Sequence, residues 1–431
     1  MKRHRRRSIP KPRVSSSVLE HLNPDAAGID CGSAEHFVAV PADRDPTSVR
    51  SFATFTGDLE RLADWLTACR VTHVAMEATG VYWIPIFEIL EARGFIVALV
   101  NARHVKHVQG RKSDVSDATW LAQLGAHGLV RGSFVPPEPI RHLRDLTRAR
   151  TAITRERGRE VQRLEKVLED AGIKLSSVAS DIVGVSGRLM LQALIDGQDD
   201  PAVLADLARR RLRLKIPALT EALTGRFSEH HGFLARLHLD LIDQHTTAID
   251  ELTARIEVVI APFRHVRDLL ITIPGIAQGV ADVVIAETGA DMTRFPTAAH
   301  LASWAGTSPG SNESAGRVKS THTRPGDPYL KGALGIAAMS IARHATTSGY
   351  LGAKYRRVAS RRGPMKAIVA VEHAILIAVW NMITTNTTYH DPGADYFTQR
   401  NPAKALQRAI DQLTKMGYGV TLSPLQSALA Q

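Results

Sequence analysis

Four acidic residues stand where short apolar runs end or where a helix begins. Asp30 closes the run Ala26-Ala27-Gly28-Ile29, Glu77 closes His73-Val74-Ala75-Met76, and Asp114 and Asp117 open a helix three residues apart. Three-residue spacing puts the last two on one helical face, and a first turn is where the helix dipole favours negative charge. Carboxylates that buried strands deliver to a sheet edge are hard oxygen ligands of the kind Mg²⁺ takes. Such an ion clamps phosphate oxygens and activates an attacking hydroxyl. A lone acidic pair at a helix start is usually no more than a well-started helix. The approach to this one is basic, with Arg103, Lys106, Arg111 and Lys112 ahead of it. Acids for metal beside cations for phosphate are what nuclease-like chemistry requires. His104 and His107 lack the further partners of a zinc site and suit a phosphate-facing pair.

A second cluster runs from Thr307 to Ser320 and on through His322, Arg324, Gly326, Asp327, Tyr329 and Lys331. By composition it is a polar Gly/Ser loop. By chemistry, a serine among Arg317, Lys319, Arg324 and Lys331 can attack a phosphodiester, because the cations stabilise the charge that develops at phosphorus. A serine hydroxyl is a poor nucleophile alone, so a base or a metal must assist it. Ser311, Ser314 and Ser320 are all candidates.

These groups need elements to hold them. Ala26–Asp30, His36–Val40 and Val49–Phe55 read as strands, Leu59–Cys69 as a helix, Val74–Glu77 as a strand, Val81–Ala92 as a helix and Phe95–Asn101 as a strand. With the helix at Asp114 this is the order of a ribonuclease H-like α/β fold, over residues 26–135, preceded by a basic arm at 1–25. Beyond Pro136-Pro137 the stretches Ile140–Leu175 and Phe233–Ile260 carry narrow apolar stripes. They predict two long helices within a region at 136–262, either a coiled-coil arm or an ordinary bundle linker. The arginine-rich face of the first could ride on nucleic acid. A mostly helical domain follows at 263–390, where the Pro274-Gly275 turn before a helix at Gly279–Glu287 could cradle a phosphate. Residues 391–431 form a tail without evident chemistry.

Composition narrows the partners. The chain has 431 residues, 54 Lys and Arg against 43 Asp and Glu, and a net charge of +11, which favours a polyanion. Lys2 to Arg13 holds seven Lys or Arg and no acid, as expected of an arm lying along phosphates. Two cysteines are too few for a disulfide framework and imply a reducing, cytoplasmic setting. No uninterrupted apolar run of about 18 residues is present, so no membrane partner is expected.

The motifs Gly28-Ile29-Asp30, Met76-Glu77-Ala78-Thr79-Gly80-Val81-Tyr82-Trp83, Asn101-Ala102-Arg103 and Gly110-Arg111-Lys112-Ser113-Asp114-Val115-Ser116-Asp117-Ala118 resemble the DEDD, RuvC-like domain of the Piv/MooV-related transposases. That group is the IS110 family of insertion sequences, with the IS1111 branch nearest. Ile273-Pro274-Gly275-Ile276, Leu301-Ala302-Ser303-Trp304-Ala305-Gly306, Asn312-Glu313-Ser314-Ala315-Gly316 and Gly326-Asp327-Pro328-Tyr329-Leu330-Lys331 resemble its C-terminal transposase domain. The resemblance implies a DNA recombinase whose Asp30, Glu77, Asp114 and Asp117 hold Mg²⁺ and whose Ser314 forms a phosphoserine link to DNA. It implies a structured guide (bridge) RNA and a homo-oligomer, dimer or tetramer. Ser314-Ala315-Gly316 departs from members in which serine directly precedes glycine, which keeps Ser311 and Ser320 in contention. The other readings are a RuvC-type nuclease using water alone and a non-catalytic nucleic-acid scaffold.

Overall fold

The structure, a computed structural model, describes residues 21–101, 114–310 and 312–422. The basic arm lies outside them, as do Arg103, Lys106, Arg111, Lys112 and Ser311. The chain divides into two compact units, residues 1–135 and 136–431.

The first unit contains β1 (Ala26–Cys31), β2 (Glu35–Ala39), β3 (Val49–Ala53), α1 (Thr56–Ala68), β4 (His73–Glu77), α2 (Trp83–Ala92), β5 (Ile96–Val100) and α3 (Asp114–Ala126). The expected elements are there with ends moved by up to three residues. The second helix starts at Trp83 rather than Val81, because Gly80 turns the chain at φ 54°. The sheet order is β3-β2-β1-β4-β5, with β1 antiparallel to β2 and parallel to β4. Neighbouring side chains on a strand face opposite ways. Ala27, Ile29 and Cys31 of β1 and Val74 and Met76 of β4 enter a core with Leu62, Leu66, Ile86 and Leu90 of α1 and α2. Ala26, Gly28 and Asp30 therefore share the other face with His73, Ala75 and Glu77.

That other face is covered by α3 at unusually short range. A Cβ on Gly28 would lie 2.2 Å from the Ala118 carbonyl oxygen and 2.3 Å from the Ala122 amide nitrogen. Gly125, further along the helix, sits against Ala75 and Ala26. Only small residues on both partners permit this approach, and α3 runs antiparallel to β1 along the seam.

The second unit is helical apart from one hairpin. Two long helices, α4 (Glu138–Asp170) and α9 (Glu229–Val259), pack antiparallel, and between them in sequence lie α5 (Leu175–Val178), α6 (Val185–Ile195), α7 (Pro201–Asp206) and α8 (Ile216–Leu223). Then come α10 (Arg264–Leu270), α11 (Gln278–Thr288), α12 (Ala298–Trp304), β6 (Asn312–Ser314), β7 (Arg317–Ser320), α13 (Pro328–Arg343), α14 (Gly349–Arg362), α15 (Pro364–Thr385), α16 (Tyr396–Gln399) and α17 (Pro402–Lys415). The long pair joins two hydrophobic cores. At one end Ile140, Leu143 and Ile256 pack with the helices from α10 to α15, and at the other Leu164, Leu168, Ala235, Leu239 and Ile242 pack with α5 to α8. The middle of the seam is polar: Arg157 donates to Thr246 at 2.8 Å, and His238 meets the buried Glu160 at 2.9 Å. Of the apolar stripe expected on the second helix, Leu234, Leu241, Ile249, Leu252, Ile256 and Val259, Ile256 is buried and the others are half-buried, while Gly232, Ala235, Leu239 and Ile242 complete the buried face.

Three arginines in the first half of α4, Arg144, Arg148 and Arg150, face inward. Arg148 grips Glu287 of α11 through two hydrogen bonds of 2.8 and 2.7 Å, and Arg144 donates to the Ala286 and Glu287 carbonyls. Arg150 reaches Asp282 at 3.2 Å, which Arg267 also holds at 2.8 Å. Burial pushes the Glu287 and Asp282 carboxyls up, and the guanidinium groups pull them back down. These arginines are committed to internal charge. Gly275 likewise serves packing, since a Cβ there would lie 2.7 Å from the Ala337 carbonyl oxygen of α13. By length and composition α15 is apolar enough to cross a membrane, yet it contains Lys366 and Glu372 and lends Val371, Ile375, Leu376 and Val379 to the core.

Two substitutions test this packing. Gly28→Ala should cost the first unit about 1–3 kcal/mol by forcing α3 off the sheet. Gly132→Ala, whose added Cβ would make ordinary 3.6 Å contact with Ala98, should be near neutral. Equal thermal midpoints for the two variants would refute the tight seam. Glu287→Ala removes the carboxylate shared by Arg144 and Arg148, leaving Arg148 only Asp327 at 3.3 Å, and should cost near the lower end of about 3–5 kcal/mol, since Arg148 retains 35% exposure. Chemical denaturation reads it directly.

Candidate functional site

The seam fixes where four carboxylates arrive. Ala118 lies over Gly28, and Asp114 is one helical turn before Ala118, about 6 Å along the axis. Asp30 is two strand residues beyond Gly28, about 6.6 Å in the same direction. Asp114 therefore comes level with Asp30, and Asp117 follows on the same helical face. Ile29 pairs with Met76 in the parallel ladder, so one residue further along each strand Asp30 stands beside Glu77. The four line one cleft of about 400 Å³, together with Cys31, Glu35 and Thr79.

The cleft's chemistry is one-sided. Five carboxylates line it and, among the described residues, no Lys or Arg does. Thr79 donates from Oγ1 to Glu77 Oε1 at 3.2 Å. The Cys31 thiol, buried beneath the cleft, is pushed far up by its burial and then by the negative charges of Asp30 and Glu77. It therefore stays protonated and is no nucleophile. Among the described residues no three His, Cys, Asp or Glu converge as a formed metal centre does. The donor set nonetheless fits a hard divalent cation, being all carboxylate oxygen with unbalanced negative charge. Glu35 was not singled out by sequence reasoning; it enters because β2 returns antiparallel to β1 through the tight turn at Gly32, whose amide donates to the Glu35 carbonyl.

Ser314 sits elsewhere, at the end of β6 in the second unit. The expected Gly/Ser loop is a β-hairpin: Ser314 pairs with Arg317 across Ala315 at φ 52° and Gly316 at φ 73°. Two central residues at positive φ make a tight hairpin turn of the primed class. Ser314, Arg317 and Lys319 are exposed, so the serine stands at the tip of a protruding arm with two cations on the neighbouring strand. Ser320 is at the base, where its Oγ accepts from the His322 amide at 3.1 Å. Arg324 is exposed beside that base, and Lys331 is half-buried on α13 near Glu372.

The hairpin's root is rigid. Pro309 and Thr323 form a bridge, and the Gly310 amide donates to the His322 carbonyl. Gly306 and Gly326 pack backbone to backbone: a Cβ on Gly326 would lie 2.1 Å from the Ala305 carbonyl oxygen. Asp327 then caps α13 by accepting from the Tyr329 and Leu330 amides, and Arg148 ties it to Glu287.

Two stretches of the chain match known families. Residues 27–173 match the DEDD transposase family of IS110 elements. Residues 267–352 match the IS116/IS110/IS902 transposase family. The first contains all four carboxylates and the second contains the hairpin, and together they span more than half of the chain. No curated protein matches the chain.

Two expectations follow from this geometry. Glu77→Gln keeps an acceptor for Thr79 and removes one of five crowded charges. Without divalent cations it should raise the thermal midpoint, by on the order of 0.5–1 kcal/mol of stability, with the gain shrinking as salt is added. A lowered midpoint would make the charge a structural partner instead. Ala315→Gly relieves a left-handed alanine at a cost or gain within about 1 kcal/mol and should leave the serine in place.

Proposed function

The chain belongs to the IS110 family of transposases, and from that premise we propose that it cuts and rejoins DNA through a phosphoserine on Ser314, with Asp30, Glu77, Asp114 and Asp117 as the metal-binding carboxylates. The single observation that carries the reading is the convergence of those four acids, from β1, β4 and α3, on one cleft without a basic lining residue among those described. The sheet order, with β1 central between an antiparallel and a parallel neighbour, supports a ribonuclease H-like, RuvC-type domain. The four acids would hold Mg²⁺, which supplies charge neutralisation at the phosphate and activation of the attacking hydroxyl.

On this reading Ser314 Oγ attacks phosphorus, its proton leaves the hydroxyl, and the bond from phosphorus to one sugar oxygen breaks as that oxygen takes up a proton. The strand remains attached to the protein as a phosphate ester. Attack by a sugar hydroxyl from a second strand reverses the bookkeeping and restores the serine. One P–O ester bond is made for each that is broken, so no external energy source is required. Arg317 and Lys319, exposed beside the serine, and Arg324 are placed to meet phosphate oxygens. Lys331, with Arg103, Lys106, Arg111 and Lys112, completes the proposed nucleic-acid contacts. We propose further that a structured guide RNA and a homo-oligomer take part. The net charge of +11 supports a large polyanionic partner.

A denaturing gel of the full chain with its element's RNA, labelled end DNA and Mg²⁺ tests the mechanism. A covalent protein–DNA band should form in the native protein, in Ser320→Ala and in Ser311→Ala. It should be lost in Ser314→Ala and fall at least about 100-fold in Asp30→Asn, Asp114→Asn or with chelator, the scale of removing one electrostatic catalytic group. Free cleaved ends without any band, undiminished in Ser314→Ala, would favour hydrolysis by water at the carboxylate cleft. Binding without cleavage under any condition would favour a scaffold.

A further inference from the structure

A second pocket, in the second unit, has no role in the chemistry above. It has a volume of about 450 Å³ and lies between α14, α15 and the chain that follows α15, well within the range of small-ligand sites, about 300–1,000 Å³. Three features of its lining lack a structural explanation. Lys354 is desolvated there, and its ammonium lies 5.8 Å from the Tyr350 ring; among the described residues no carboxylate pairs with it. His373 Nδ1 and Tyr389 Oη are buried without hydrogen-bond partners. The rings of Tyr389 and Tyr396 also line it, beside a Tyr350 already stacked on Phe397.

Each feature is costly in the folded chain alone. A buried polar atom without a partner is costly, and a desolvated ammonium resists its charge. A ligand that removes all three costs must bring an anion, hydrogen-bonding edges and a planar face. Asp391, whose charge reaches Tyr389, accepts from the Tyr350 and Gly393 amides. The rim adds positive charge, with Arg357 lying 4.9 Å over Phe397, which stacks on Tyr350. We propose that this pocket receives a single unpaired nucleotide of a DNA strand, its phosphate neutralising Lys354 and its base meeting the tyrosine faces and the free edges of His373 and Tyr389. Stacking of bases on aromatic side chains beside cations is how single strands are held without a sequence code. The His373 ring also lies within reach of the Thr307 backbone, just ahead of the serine hairpin. The inference rests on the transposase reading for the choice of DNA as the strand.

The test uses the full chain with a short single-stranded DNA carrying one 2-aminopurine, whose fluorescence responds to stacking on tyrosine. The native protein should change that signal on binding. Lys354→Met and Tyr396→Ala should weaken binding at least about fivefold, the low end for losing one stacked base, while Lys354→Arg keeps most of it. Lys354→Met should at the same time raise the thermal midpoint, since an uncompensated charge is gone, which separates loss of ligand from loss of fold. A deoxynucleoside monophosphate should compete and inorganic phosphate should not. Competition by phosphate at equal strength, or a native signal and affinity in both Lys354→Met and Tyr396→Ala, would overturn the proposal. Covalent adducts scored on the same samples keep the two readings apart. Adducts with indifferent pocket variants refute the pocket alone, and pocket-dependent binding without adducts refutes the phosphoserine alone.

Discussion

The backbone contact between Gly28 and α3 governs the rest of the first unit. A strand and a helix normally meet through side chains, which hold them apart by the thickness of a packed layer. Here the Ala118 carbonyl and Ala122 amide stand where a Cβ of residue 28 would be. The consequence is geometric. Once the helix is pinned at that point, its rise and the pleat of β1 leave little freedom in where Asp114 and Asp117 fall relative to Asp30. Glu77 is fixed in turn by the parallel ladder between β1 and β4. Five carboxylates in one cleft repel one another, and no Lys or Arg among the described residues lines the cleft to hold them. Packing several residues away does so instead.

The second unit handles charge in the opposite way. Glu287 and Asp282 are almost wholly buried, and each is met by two arginines. Such clusters contribute little net stability over apolar packing, but they are strict about geometry, because either partner alone is costly to bury. Here the strictness falls on α4, α11 and the start of α13. Arg148 touches both Glu287 and Asp327, so the residue that ends the hairpin's root is held by the same cluster that docks the long helix. The serine at the hairpin tip, by contrast, is placed by backbone conformation, with two residues at positive φ turning the strand.

What the sequence made legible divides along the same physical line. Runs with strong local patterns, such as the strands ending at Asp30 and Glu77 and the i, i+3 pair Asp114 and Asp117, were readable because position and role depend on near neighbours. The face to which Asp30 points was not, since β1 is buried on both sides and shows no alternation of polar and apolar residues. The hairpin around Ser314 reads as a loop because its strands are polar but for the exposed Val318 and cover no core. The arginines of α4 suggest a nucleic-acid face, yet the acids that hold Arg144, Arg148 and Arg150 lie more than a hundred residues away, at Asp282 and Glu287, and no local rule pairs them. On α9 the apolar stripe holds at Ile256, but glycine and alanine take other buried positions that a pattern of large apolar residues does not mark.

The two units thus divide a demanding task by the kind of order each can supply. A cleft of like charges needs its carboxylates held against their mutual repulsion, and the close packing of glycine and alanine between α3 and the central strand does so with no Lys or Arg among the described lining residues. The nucleophile proposed at Ser314 needs the reverse, an approach from which bulky groups are absent. An exposed two-stranded hairpin provides that approach, while its root is fixed by Gly306, Gly326 and the Asp327 cap. The left-handed Ala315 is the one local cost of the arrangement, on the order of 1 kcal/mol, and it is confined to the turn that presents Ser314.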